Sequence, residues 1–363
     1  MSLWVGIIGM PNVGKTTLFN ALTQVGADAS NYPFCTKDQN VGMAKVPDAR
    51  LERLNELLGP KECTPTFIEF IDIAGLVRGA SRGEGLGNRF LGHIREVDAV
   101  LHVVRCFEDE NVTHVDGTVD PVRDVEVVEA ELTLADLDTV ERAIHKQAKP
   151  VRAGVEGAQK TLDVLEKIRD GLERGTGVRA LGLSKEEQER VMEYAFLTAK
   201  PMLYVANVDE DDVEGTSERV RRLKEAVGPK NMIPISAEIE EEIGELEDEE
   251  EQAAFLADLG LEETGLSRIV WASYRLLNLI TFYTIAHDKL RAWQIVDGTT
   301  AQEAAGEIHT DMEQGFIRAE VMTYEDVARY KTMAELHRHG RVRAEGKEYV
   351  MQDGDVVHIL FHV

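Results

Sequence analysis

The chain has 363 residues, 43% of them hydrophobic, with 40 Lys and Arg against 66 Asp and Glu and a formal net charge of −26. That length suggests two or three domains with a sizeable core, and the charge excludes a wholly basic nucleic-acid binder without excluding a local basic face. The three cysteines, Cys35, Cys63 and Cys106, are too scattered for a disulfide framework and predict a cytoplasmic setting; no apolar run reaches the ~18 residues that span a bilayer, and the start MSLWVGIIGM does not read as a signal peptide.

Residues 3–8 read as a buried strand that ends at Gly9, and residues 15–22 as the helix that follows a Gly/Pro/Asn turn. A helix over about 50–58 carries Leu51, Leu54, Leu57 and Leu58 at helical spacing. Apolar runs at 67–73, 99–104, 202–206 and 232–235 read as parallel strands of an α/β sheet. Between them, residues 125–199 carry two helical stripes. The first runs Val125, Val128, Leu132, Leu134, Leu137, Val140, Ile144, and its return runs Val155, Leu162, Leu165, Ile168, Leu172. They predict an inserted antiparallel, coiled-coil-like arm, with Ser184 and Glu187 as a capping box. Residues 238–251 hold ten carboxylates in fourteen positions and read as a solvated loop. From 279 onward the chain reads as an α+β module, with strands at 279–285 and 316–322, a helix at 300–308 and a hairpin of 348–351 with 356–361. The predicted domains are thus an α/β nucleotide domain over 1–124 and 200–278, a helical insertion over 125–199, and a C-terminal module over 279–363.

The run from Gly9 to Thr16 fits GxxxxGK[ST] between a strand and a helix, the context in which this motif cradles phosphates. Its glycines let backbone amides of Asn12, Val13 and Gly14 close around the phosphates, while the helix N-terminus, Lys15, Thr16 and Thr17 complete the nucleotide cradle. Lys15 reaches the β- and γ-phosphates and Thr16 is a ligand for Mg²⁺. At the end of the strand 67–72, Asp72 is placed to hold the metal shell and the Gly75 amide to meet the γ-phosphate. Within Asn31–Thr36, the Thr36 hydroxyl is a third expected metal ligand.

These motifs, GMPNVGKTT (9–17), NYPFCT (31–36), DIAGLVRGAS (72–81) and GEGLGNRFL (83–91), resemble the Obg branch of P-loop GTPases. With HVVRCFEDENVTHVDG (102–117), the helical insertion and the C-terminal module, the chain is identified along its whole length as similar to the YchF family of Obg-like ATPases. The resemblance implies a G domain interrupted by a coiled-coil arm, a C-terminal β-grasp (TGS) domain, hydrolysis of ATP to ADP, and association with the ribosome as large subunit or 70S particle. It also implies that His114, on a loop, positions the attacking water, and that Asn12 helps to hold K⁺ beside the phosphates.

A guanine site normally shows Asn-Lys-x-Asp after the fifth strand. Here Asn207-Val208-Asp209-Glu210 stands there, and Ser236-Ala237-Glu238 replaces the usual Ser-Ala-Lys. Val208 removes the lysine stem that packs on the base, and Glu210 displaces the carboxylate by one methylene, which relaxes or reverses a guanine preference. Leu76 stands where Ras-like proteins carry a water-orienting glutamine, so slow basal turnover is expected. Two basic groups, Arg329, Lys331, Arg338, Arg341, Arg343 and Lys347, and Lys146, Lys149, Arg152, Lys160, Lys167 and Arg169 on the arm, fit phosphates of a large RNA such as ribosomal RNA. An Obg-type GTPase, or a non-hydrolysing nucleotide sensor or RNA-binding scaffold, are the alternatives; no membrane partner is expected.

Overall fold

In the computed structural model, residues 3–24, 40–75, 79, 86–246, 248–286 and 288–362 are described. The expectations placed on Thr36 and Leu76 fall outside them.

Strand β1 (Trp4–Ile8) is buried at every position after the first, as a run between two parallel neighbours must be. There follow α1 (Lys15–Gln24), β2 (Val41–Lys45), α2 (Ala49–Leu58), β3 (Glu62–Thr64), β4 (Phe67–Asp72), α3 (Leu86–Glu96) and β5 (Ala99–Arg105). The arm is α4 (Pro121–Arg152), α5 (Ala158–Glu173) and α6 (Lys185–Val191). The sheet resumes with β6 (Met202–Asn207), α7 (Glu218–Val227), β7 (Met232–Ile235), α8 (Ala237–Glu245), α9 (Glu249–Asp258) and α10 (Gly265–Leu276). The chain closes with β8 (Leu279–Ala286), β9 (Lys289–Val296), α11 (Ala301–Ile308), α12 (Thr310–Gln314), β10 (Phe316–Thr323), α13 (Tyr324–Tyr330), α14 (Met333–Arg338), β11 (Arg343–Glu345) and β12 (Asp355–Phe361).

The first sheet has the order β2-β4-β1-β5-β6-β7, in which β4, β1, β5, β6 and β7 run parallel to one another. Strand ends thereby bring the loops after β1, β4, β5 and β6 to one edge, where ligands of open α/β sheets bind. Helix α4 starts with Pro121 in its first turn and Asp120 accepting from the Arg123 amide, and α5 returns along it over a shared core of Val140, Ala143, Leu165, Ile168 and Leu172. Ser184 and Glu187 form the expected capping box. Val125, Val128, Leu132 and Leu162 lie outside this core, the first three still buried, while Leu134 is 38% exposed and Val155, in the turn between α4 and α5, is 56% exposed.

By packing, the chain divides into two compact units, one of Leu3–Met43 and Glu69–Ile269, the other holding Ala44–Ile68 and Val270–Val363. Sequence patterning puts that boundary at 279 and leaves 44–68 in the nucleotide domain. In the second unit the sheet order is β11-β10-β12-β8-β9-β3, and β3 extends the sheet by pairing parallel with β9. Leu51 and Leu54 of α2 are buried with Tyr283, Leu290, Met322, Val327 and Val356. Asp48 caps α2 and accepts a 2.7 Å hydrogen bond from the Tyr283 hydroxyl, and Arg50 forks onto Asp353 at 2.8 and 3.1 Å. Three residues of strand and ten of helix carry no sequence signal of so distant a partner.

Two other expectations change. Residues 348–351 do not pair with β12. The Met351 amide donates to Thr299 O and the Ala301 amide to Tyr349 O, while β12 lies between β10 and β8. The acidic run is partly helix, and Glu240 on α8 is buried, accepting from the Gly265 and Leu266 amides at 2.5 and 3.2 Å. A carboxylate at the first turn of α10 satisfies amides that have no helical partner, though its burial is the larger effect and raises its pKa.

Candidate nucleotide site

The turn after β1 is shaped by backbone that few side chains tolerate. Asn12 has φ 59° and Gly14 φ 93°. A Cβ on Gly14 would stand 2.3 Å from Asn207 Nδ2, so only glycine lets β6 approach this closely. Asn207 is the keystone: buried at the end of β6, its Nδ2 donates to Val13 O at 3.0 Å and its Oδ1 accepts from the Ala237 amide at 3.0 Å. Its side chain thus ties the phosphate loop to the start of α8.

Lys15 is buried, its Nζ donating to Met10 O at 2.7 Å. Burial lowers its pKa to about 8, against the opposing pull of Asp72. A Cβ on Gly75 would lie 3.1 Å from Lys15 Nζ, which places the Asp72–Gly75 turn directly over the lysine. Thr16 Oγ1 donates to Asp72 Oδ2 at 3.1 Å, and burial raises the Asp72 carboxyl above the usual carboxylate range. Among the described residues no three His, Cys, Asp or Glu side chains converge on one point. One hydroxyl beside one carboxylate is instead the donor set of a Mg²⁺ ion that takes its remaining ligands from phosphates and water.

Beside this cradle opens a cleft of about 690 Å³, lined by Gly14, Thr17, Phe107, Val112, Val208 and Glu210 among others. Its size suits a nucleoside. Val208 is buried, and Glu210 opens a short 3₁₀ turn, Glu210–Asp212. Phe107, Glu108, Asp109 and Val112 form part of the lining; they lie in the family-like stretch 102–117, which by itself assigns them no role.

His114 is not a solvated loop residue. It is 7% exposed, its Nε2 lies 2.8 Å from Asp124 Oδ2, and its Nδ1 accepts from the Asp116 amide at 3.1 Å. Acceptance at Nδ1 fixes the Nε2–H tautomer, which donates to Asp124. Asp124 also receives Arg123 Nη2 at 3.2 Å. The preceding residue joins this loop to the phosphate loop, since Asn12 Nδ2 donates to Thr113 O at 3.2 Å. The structure thus brings Asn12, Val13, Gly14, Lys15, Thr16, Asp72, Gly75 and Asn207 together, with Thr17, Val208 and Glu210 in the adjoining cleft, and holds His114 on Asp124. Asp116 and Asp124 do not stand out in sequence, because acidic residues around the start of a helix read as ordinary caps.

Residues 4–152 match a family described as 50S ribosome-binding GTPase, and residues 279–362 match the YchF-GTPase C-terminal family, described as a protein of unknown function. Two proteins named ribosome-binding ATPase YchF, from Haemophilus ducreyi and Bacillus subtilis, are 51% and 50% identical to the chain, with 100% of each sequence covered. A solved structure described as the YchF GTPase of Schizosaccharomyces pombe superposes with a TM-score of 0.89 at 37% identity, covering 99% of this chain and 98% of that one.

Proposed function

The chain belongs to the YchF family, and we propose that it hydrolyses ATP to ADP and binds the ribosome as a translation-associated switch in the cytoplasm. The observation that carries this reading is a complete phosphate cradle beside a cleft where Val208 and Glu210 replace the Lys and Asp of a guanine site. The names of the curated relatives support both halves of it. Titration of matched ATP and GTP by calorimetry, then ribosome co-sedimentation in each nucleotide state, tests it. Tighter GTP binding would favour the GTPase reading that the description of the matched G-domain family supports.

Thr16 and Asp72, together with Thr36, would hold Mg²⁺, which would offset phosphate charge, and Asn12 would contribute to a K⁺ site. The chain's own residues do the rest. The phosphate-loop amides fix the triphosphate, Lys15 faces its β- and γ-oxygens, and Gly75 meets the γ-phosphate. His114 positions the attacking water, which requires its ring to leave Asp124. Turnover is therefore slow. His114→Ala should lower kcat in single-turnover hydrolysis by about 10–10²-fold, the low end for a proton-handling or water-orienting group that must first be released, with ATP affinity nearly unchanged. Equal hydrolysis by variant and parent, with and without ribosomes, would remove His114 from the reaction.

Ribosomal RNA phosphates on the large subunit or 70S particle are the contact. In the C-terminal group, Arg338 pairs with Glu335, Arg341 lies 3.7 Å from Asp326 and Arg343 3.4 Å from Glu345. On the arm, Lys160, Lys167 and Arg169 face Glu186, Glu187 and Asp170. Lys146, Lys149 and Arg152, toward the end of α4, are exposed and form no ion pair among the described residues. Reversing these three to Glu should weaken co-sedimentation more than reversing Arg338, Arg341 and Arg343. It should also flatten the salt dependence by roughly 0.7–0.9 log unit per log salt for each phosphate that the variant no longer neutralises. Truncation at 280 is a poorer probe, since it strips Leu51 and Leu54 of Tyr283 and Leu290.

A further inference from the structure

Arg105 at the end of β5 is 2% exposed and is the largest fully buried side chain among the described residues. No carboxylate among the described residues pairs with it. Its guanidinium donates instead to three carbonyls of the loop that follows: Nε to Phe107 O at 3.2 Å, Nη1 to Val112 O at 2.9 Å and Nη2 to Asp109 O at 3.3 Å. Its Cζ also lies 4.4 Å from the centroid of the Phe107 ring, a cation–π contact. Burying a charge without a counter-ion is expensive, and an aliphatic side chain would fill the same space at less cost. The five donors of a planar fork can, however, fix several carbonyls of one loop at once, which no apolar residue does. The loop so fixed contributes Phe107, Asp109 and Val112 to the cleft that also contains Val208.

We propose that Arg105 is a specificity-determining positioning residue: from inside the fold it sets the wall of the cleft, Phe107 to Val112, against which the purine base packs. The inference rests on the nucleotide reading above and deepens it. Arg105 touches neither base nor phosphate; it acts through the ring of Phe107 and the turn at 109–112, where the Val112 amide also donates to Asp109 O.

The test compares binding of Mg-ATP, Mg-GTP and Mg-tripolyphosphate to the full chain by calorimetry, for the parent, Arg105→Lys, Arg105→Met and Phe107→Leu. Tripolyphosphate probes the phosphate cradle without a base. The variants should bind the parent's preferred nucleotide about tenfold or more weakly, the size expected for loss of an aromatic face against a base, with tripolyphosphate affinity within about twofold. Their ATP:GTP ratio should move toward one and their KM rise more than their kcat falls. Phe107→Leu keeps the backbone carbonyls that Arg105 binds, so it reports on the wall even where an Arg105 variant folds poorly. Combined with Arg105→Lys it should be markedly less than additive. Parallel weakening of nucleotide and tripolyphosphate, or unchanged nucleotide affinity in a folded variant, would overturn the proposal. So would a parent that binds tripolyphosphate as tightly as either nucleotide. A parent that prefers GTP would instead overturn only the ATP reading, and the effect of Arg105 would then be read on GTP.

Discussion

Lys15→Ala is expected to reduce Mg-ATP affinity by about 10²-fold or more while leaving the folded structure and its melting temperature nearly unchanged. The side chain is buried, and its ammonium is retained against a desolvation penalty that brings its pKa to about 8. Removing one partner of a charge pair that is buried on binding costs about 2–5 kcal/mol, which sets the size of the affinity loss. Removing it from the free protein relieves a penalty and gives up one hydrogen bond to Met10 O, effects of opposite sign. Calorimetry and thermal unfolding on the same sample separate the two, and unimpaired ATP binding would remove the phosphate loop from the mechanism.

The same lysine gives a pH dependence whose sign is fixed. Its pKa falls from 10.5 in the unfolded chain to about 8 in the free site. Between those values the unfolded chain holds a proton that the folded site has released, so this group's contribution to stability rises with pH across that window. Triphosphate binding moves the other way. It requires the ammonium, so affinity should begin to fall above about pH 8, with a proton taken up on binding that calorimetry in buffers of different ionisation enthalpy would detect. Lys15→Ala should abolish that uptake.

Asn207→Ala is expected to lower stability by about 2–4 kcal/mol and to weaken every nucleotide, base and triphosphate alike. Its two amide atoms serve Val13 O and the Ala237 amide, both at 3.0 Å, and the side chain is buried. Alanine leaves a buried carbonyl and a buried amide unpaired, at about 1–3 kcal/mol each. Gly14 has its unusual backbone pressed against this side chain, so the phosphate loop would lose the surface that shapes it. Asn207→Asp keeps the acceptor for Ala237 but turns the donor toward Val13 O into a second acceptor, and should rescue little. A denaturant midpoint unchanged by Asn207→Ala would show that the loop holds its shape without β6.

Much of this site is legible in the sequence because its parts are local. The turn from Gly9 to Thr16 needs glycine at Gly14 and a lysine one residue into a helix, and Asp72-Ile73-Ala74-Gly75 ends a strand, so spacing alone implies the cradle that the structure assembles. Buried strands are readable for the same reason, as short continuous apolar runs, and the helical arm from an apolar stripe that repeats every 3.6 residues. What only the tertiary structure decides involves partners far apart in the chain. Periodicity cannot show that Asn207 serves the phosphate loop 194 residues away, that His114 is held on Asp124, or that a guanidinium is spent on three carbonyls. Nor can it show that Leu51 and Leu54 share a core with Tyr283 and Val356. Hydropathy marks which face of an element is buried and is silent on what buries it. For polar side chains the choice of partner depends on which backbone groups are left without hydrogen bonds once the strands and helices have packed.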